Sequence, residues 1–234
     1  MSLRKLLLAS SRPDRSRSLA PWRNERGELW LNVASSHVTL PGFVNVDNGV
    51  FFRLAHVYPA LAHAPGLPHR ETLELYWNGI TDRTTLFADC RRRLPFPDGS
   101  VDHILCSHFL EHVYPDEADT ILAGFFSVLK PGGTLHVIVP DLKEAVDRYT
   151  REYGSERAAG GLVEETLLSL PLAPGRVFRL LEATGGFGLQ HRWMYDLPAL
   201  EAKVKARGFQ LVSGQGSPSA DFPRDGIHVC AKRP

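Results

Sequence analysis

Residues 94–141 read "LPFPDGSVDHILCSHFLEHVYPDEADTILAGFFSVLKPGGTLHVIVPD", and this stretch decides the fold. Within it, "VDHILCS" (101–107) is a short apolar run that follows the turn-rich "RRRLPFPDGS", and it reads as a strand. "PDEADTILAGFFSVL" (115–129) carries its apolar residues at helical spacing. Pro115 and Asp116 start that helix, and Lys130-Pro131-Gly132-Gly133 stop it. "GTLHVIVPD" (133–141) then reads as the next strand. Strand, helix and strand in this order argue a parallel crossover unit.

The same alternation extends on both sides. "LWLNVA" (29–34), "FVNVD" (43–47) and "TTLFAD" (84–89) read as three earlier strands. Between the second and third lies an insert, 50–82, whose two apolar patches are split by "PGLPHR" and predict two helices. "LKEAVDRYTREYG" predicts a helix closed by Gly154. Residues 155–195 are less regular and Gly-rich, and they suit a helical region with a loop, or lid, over a site. "DLPALEAKVKARGF" (196–209) predicts a helix, and "FQLVSG" and "GIHVCAKR" the last two strands. Only a loop separates those two, so one of them runs antiparallel. Residues 1–28, rich in Arg, Ser and Pro, read as an N-terminal arm before a single domain spanning 29–234.

The 234 residues are 43% hydrophobic and 23% charged, a balance that buries a sizeable core. A net charge of +1 gives no general reason to expect nucleic acid or an anionic membrane as partner. Cys90, Cys106 and Cys230 form no CxxC pair and no zinc spacing, so a reducing, cytoplasmic compartment is the simplest reading. No stretch approaches the length of a membrane span.

The set "LPFPDGSVD", "LEHV" and "LKPGG", in that order across 94–141, resembles the class I S-adenosylmethionine (SAM)-dependent methyltransferases of the methyltransferase type 11 kind. "LPGFVNVD" (40–47) and "HRWMYD" (191–196) resemble a bacterial branch of predicted methyltransferases. The resemblance implies a Rossmann-like, doubly wound, mostly parallel seven-stranded sheet with one antiparallel strand near the C-terminus. It also implies SAM as cofactor and a small-molecule acceptor. In such sheets ligands lie beyond the carboxyl ends of the strands, where strand order reverses. On that pattern Asn32, Ala34, Ser35 and Ser36 face the methionine part of SAM. Asp47 accepts from the ribose hydroxyls, Asp89 and Cys90 meet the adenine, and Ser107 and His108 line the methyl end. Asp47 has an equally simple reading as a turn-former.

The first turn departs from the pattern. Ala34 and Ser36 stand where relatives carry glycine, and a positive φ at either is strained. Asn32 stands where many relatives carry an acid. The expected result is a weakened SAM site, and a repurposed, inactive fold is the rival reading.

For the acceptor side, "SHFLEHV" offers His108, Glu111 and His112 on one face if a helical turn follows the strand. A similar place in the ubiquinone-pathway O-methyltransferases carries a carboxylate followed by Glu-His and uses a divalent ion. Here His108 replaces that first carboxylate, so no metal is assigned, and the Glu-His pair reads equally as an organiser of the loop. "GLQHRWMYD" (188–196) suits a lid with Gly185, Gly186 and Gly188 as hinges, or a packed aromatic cluster. His108, His112, His191 and Tyr195 are the expected catalytic set. Oligomeric state is not legible.

Overall fold

The computed structural model describes residues 22–58, 70–166, 190–212 and 226–234. Seven strands form one sheet: β1 (Trp30–Val33), β2 (Val44–Asp47), β3 (Thr85–Phe87), β4 (Val101–Ser107), β5 (Leu129–Val139), β6 (Gln210–Leu211) and β7 (Ile227–Lys232). Their order is β3-β2-β1-β4-β5-β7-β6. The first five pair in parallel, and β7 runs antiparallel to both β5 and β6. The expected Rossmann-like sheet with one antiparallel strand is the observed one. Strand order reverses between β1 and β4, so the crevice of this sheet opens beyond Val33 and Ser107.

The described helices are α1 (Val50–Ala55), α2 (Arg70–Ile80), α3 (Pro115–Val128), α4 (Leu142–Glu152), α5 (Ala158–Glu165) and α6 (Leu197–Ala206). Helix α3 begins at Pro115, and the Glu117 carboxylate accepts from the Tyr114 backbone N–H at 3.0 Å. Its buried face is Ala118, Ile121, Leu122, Phe125 and Val128, an i, i+3, i+4 stripe that packs with β1, β4 and β5 residues in the main core. Each large side chain buried there contributes about 1.5–3 kcal/mol. Helix α6 starts at Asp196, whose carboxylate accepts from Ala199 N, and is followed by Gly208 at φ 92°.

The structure differs from the sequence reading at "LKPGG". There the chain does not simply stop and turn. β5 runs from Leu129, and its register against β4 jumps between the Val101↔Leu129 and His103↔Thr134 pairs. Pro131 donates nothing to a ladder, and Gly132 takes φ 79°, so the strand bulges outward. The Gly132 N–H and Gly133 carbonyl bond Arg233 instead, at 2.8 and 2.9 Å. The arm over residues 1–21 and most of the lid, including Gly185, Gly186 and Gly188, lie outside the described residues.

Candidate active site

The first turn carries the strain that its sequence implies. Ala34 and Ser36 sit in the left-handed region, at φ 54° and 49°. An L side chain there costs on the order of 1 kcal/mol. Side chains hold the turn in that shape. The Asp47 carboxylate accepts from Ser36 N at 2.8 Å and from Gly49 N at 2.5 Å. Asn32 is buried, and its amide nitrogen donates to the Val38 carbonyl and to Asn45 Oδ1. Both residues read from the sequence as cofactor ligands therefore also brace the loop.

The insert closes over this turn, which the sequence did not indicate. The Tyr76 hydroxyl, from α2, lies 2.6 Å from Ser36 Oγ, and its ring meets His37 and Phe51. The Thr39 hydroxyl donates to the Gly79 carbonyl. A Cβ at Gly79 would stand 2.1 Å from the His37 carbonyl oxygen, so only glycine lets the helix backbone come this close.

Beyond β3, burial pushes the Asp89 carboxyl up, but hydrogen bonds from Arg91 and the Arg91 and Arg92 charges outweigh it and hold it below its ordinary range. Cys90 is buried in the main core, where desolvation pushes its thiol up to about 12. It is a packing group with no thiolate character. Ser107 ends β4, half-buried.

The acceptor-side residues come together. His108 takes φ 50° and turns the chain away from β4, while its N–H still pairs with the Ile138 carbonyl. A 3₁₀ turn, Leu110–His112, follows. Glu111 is fully buried, with Oε1 3.5 Å from His108 Nδ1 and 3.9 Å from His112 Nε2. Its backbone carbonyl accepts from both Arg192 N and Trp193 N, at 2.7 and 3.1 Å. That clamp lays residues 190–193 against the turn and stacks the His112 and His191 rings edge to face at 4.8 Å. Burial, then the neighbouring His112, lowers the His191 pKa and favours a neutral ring. Tyr195 bridges Asp141 beside β5, with its hydroxyl buried. Burial pushes that phenol up, so it stays protonated. The sequence reading offered Glu111 beside His108 and His112 but left it out of the expected catalytic set; the docking of 190–193 goes with its carboxyl being interior.

A second group of histidines, His103, His136 and His228, lies along β4, β5 and β7. A cavity of about 480 Å³ there is lined by Trp30, Asp102, His103, Lys130, Thr134 and His136 among others. Asp102 receives the Leu29 N–H and the Lys130 ammonium, tying the start of β1 to β5.

Three comparisons bear on this geometry. Residues 78–137 match the family model described as a methyltransferase domain. The match runs from the end of α2 into β5, so the strand ends at Ala34–Ser36 and Asp47 fall outside it. The PH0226 protein from Pyrococcus horikoshii OT3 shares the fold at 14% identity, with a TM-score of 0.50, over 99% of this chain and 88% of that one. A SAM-dependent methyltransferase from Methanosarcina mazei aligns at 18% identity and a TM-score of 0.48, over 88% and 92% of the two chains. No curated protein matches the sequence. The family match supports a methyltransferase, and with it SAM as methyl donor.

The residues present fit that cofactor. Ser35 Oγ lies buried in the first turn without a partner among the described residues. The Asp47 carboxylate, with about four acceptor sites, retains capacity for ribose hydroxyls beyond its two backbone donors.

Proposed function

We propose that the chain is a SAM-dependent methyltransferase acting on a small-molecule oxygen or nitrogen acceptor in a reducing, cytoplasmic compartment. The observation that carries this reading is the switch point. There the Ala34–Ser36 turn and the turn after Ser107 open on one crevice, in a sheet whose central part matches a methyltransferase domain. Bound there, SAM supplies an electrophilic methyl group. The chain's own work is placement. Asn32, Ala34, Ser35 and Ser36 form the small-residue turn that lets backbone approach, Asp47 offers its carboxylate to the ribose, and Asp89 with Cys90 and Ser107 borders the rest. His108, the most open of the three histidines, is placed to take a proton from an acceptor hydroxyl or amine. His112, His191 and Tyr195 wall the acceptor side and exclude water. The near-neutral charge and the absence of a nucleic-acid motif in the sequence favour a small molecule over nucleic acid.

A second reading, a fold kept after its cofactor was lost, draws support from the internal bonds of Asn32 and Asp47 and the two strained residues in the turn. Calorimetric titration with SAM separates the two. Binding by the native protein, weakened by about 1–3 kcal/mol in Asp47→Ala, supports the enzyme. A folded protein that binds no SAM at millimolar concentration supports the second reading, and unchanged affinity in the variant removes Asp47 from the ribose.

A further inference from the structure

We infer that Glu111, His112 and His191 form a binding site for one divalent transition-metal ion of the zinc type. The inference stands apart from the methyltransferase reading, because it needs neither SAM nor an acceptor.

One carboxylate oxygen and one nitrogen from each ring lie within 4.8 Å of one another. Both Glu111 oxygens are buried and receive no hydrogen bond from the described residues. The His112 Nδ1–H donates to the Gln190 carbonyl at 3.2 Å, because a carbonyl can only accept. That tautomer leaves Nε2 as the acceptor that faces Glu111, 3.9 Å away. His191 repeats the arrangement. The Thr166 backbone hydrogen-bonds its ring, while Nδ1 is buried with no partner among the described residues. Three acceptors thus meet in a mostly buried space, and the nearest candidate donor, His108 Nδ1, stands 3.5 Å from Glu111 Oε1 without forming a hydrogen bond. Such a group needs a positive centre to be satisfied.

The chemistry of the set selects the ion. Two imidazole nitrogens and one carboxylate oxygen suit zinc and its neighbours, whereas magnesium and calcium prefer oxygen throughout. Each histidine is held from behind by a backbone group, the arrangement that orients metal-binding imidazoles. Three protein ligands leave a fourth position open. Metal–ligand bonds of about 2.0–2.2 Å bring the atoms closer than they now lie, which small side-chain rotations supply. The Glu111 carbonyl, bonded to Arg192 N and Trp193 N, already fixes the two backbones that carry the ligands. The sequence could not show this set, because His191 is 79 positions from His112 and joins it only through that clamp.

The test uses the full chain, freed of metal by chelator and then gel-filtered with zinc. One equivalent of zinc should be retained, and cobalt should give the visible absorption of a low-coordinate site. Glu111→Gln and His191→Asn should each weaken zinc binding by more than about tenfold. Should Glu111→Gln fail to fold, His191→Asn decides alone. His136→Gln controls for the other histidine group, since His136 Nε2 lies 3.2 Å from His228 Nδ1, and it should retain the zinc. No retained zinc in the native protein, undiminished binding in His191→Asn, or loss confined to His136→Gln would each overturn the assignment. Magnesium binding as tightly as zinc would overturn it too. SAM titration of the same sample reports separately on the methyltransferase reading.

Discussion

Both ends of the sheet bury histidines, but in different company. Toward the strand starts, His103 Nδ1 and the Thr134 hydroxyl share a hydrogen bond at 2.7 Å, and the ring is wedged between Trp30 and Phe43. His136 pairs with His228 across β5 and β7. At the strand ends, His112 and His191 face the buried Glu111 carboxyl, whose oxygens receive no hydrogen bond from the described residues. A buried histidine is therefore not by itself a sign of function. What marks the crevice is a buried carboxyl set beside the rings, together with the positive φ of Ala34, Ser36 and His108.

The largest expected effect breaks the stable end. His103→Ala leaves a cavity between two aromatic rings and strands the Thr134 hydroxyl, and it should cost about 2–4 kcal/mol in denaturant unfolding. A loss under about 0.5 kcal/mol would mean that this end is no better packed than a surface.

Acid sharpens the same contrast. Burial lowers the pKa of His103 to about 4, with His136 adding to the effect, and burial lowers His136 to about 4 likewise, with His228 adding. Both folded-state values lie below the unfolded value of about 6.5. The unfolded chain binds more protons between those limits, so the stability from the neutral rings is complete above pH ~6.5 and is lost as pH falls toward ~4. The slope approaches about 1.4 kcal/mol per pH unit for each histidine. Urea midpoints measured across that window should fall more gently in a His103→Asn variant. Parallel curves would contradict the assignment.

At the crevice end the sign reverses. In metal-free protein, Glu111→Gln gives the two ring acceptors an amide donor and removes an unsatisfied carboxyl, and it should raise stability by about 1 kcal/mol. Thermal melting that falls instead would show that His108 and His112 already satisfy the carboxyl. The smallest effect is at the first turn. Ala34→Gly relieves a left-handed backbone and should gain about 0.5–1 kcal/mol, less the entropy of a freer unfolded chain. Ser36→Gly is a poorer probe, since it also loses the Tyr76 contact. Crystallography of the Ala34→Gly protein should show the turn unmoved.

The contrast also explains what could be read in advance. The sheet was legible because local pattern and topology agree. "VDHILCS" is β4 from end to end, and the short link between the last two strands demanded an antiparallel member. Helix α3 ends one residue earlier than its pattern, because Leu129 already takes the extended conformation that begins β5. The strain at Ala34 and Ser36 was legible as missing glycines. The roles of Tyr76, Gly79 and Glu111 were not, for each depends on a contact between segments far apart in the chain. Gly79 looked like an ordinary residue near a helix end, and only the approach of the His37 carbonyl gives it a purpose. Asn32 was read as facing outward to a ligand, but its partner Asn45 lies on the adjacent strand in direct register.

The clamp at Glu111 has a consequence for how this site can diverge. It is made by main-chain atoms alone, the Glu111 carbonyl and the N–H groups of Arg192 and Trp193. The side chains at 192 and 193 take no part in it: Trp193 is 47% exposed, and Arg192 donates instead to the Tyr114 hydroxyl and lies over its ring. Any residue except proline, which lacks the N–H, can occupy either position and leave His191 where it stands. A library randomised at 192 and 193 would thus vary the rim of the crevice while the interior is inherited unchanged, so that novelty in acceptor choice comes uncoupled from the risk of losing the site.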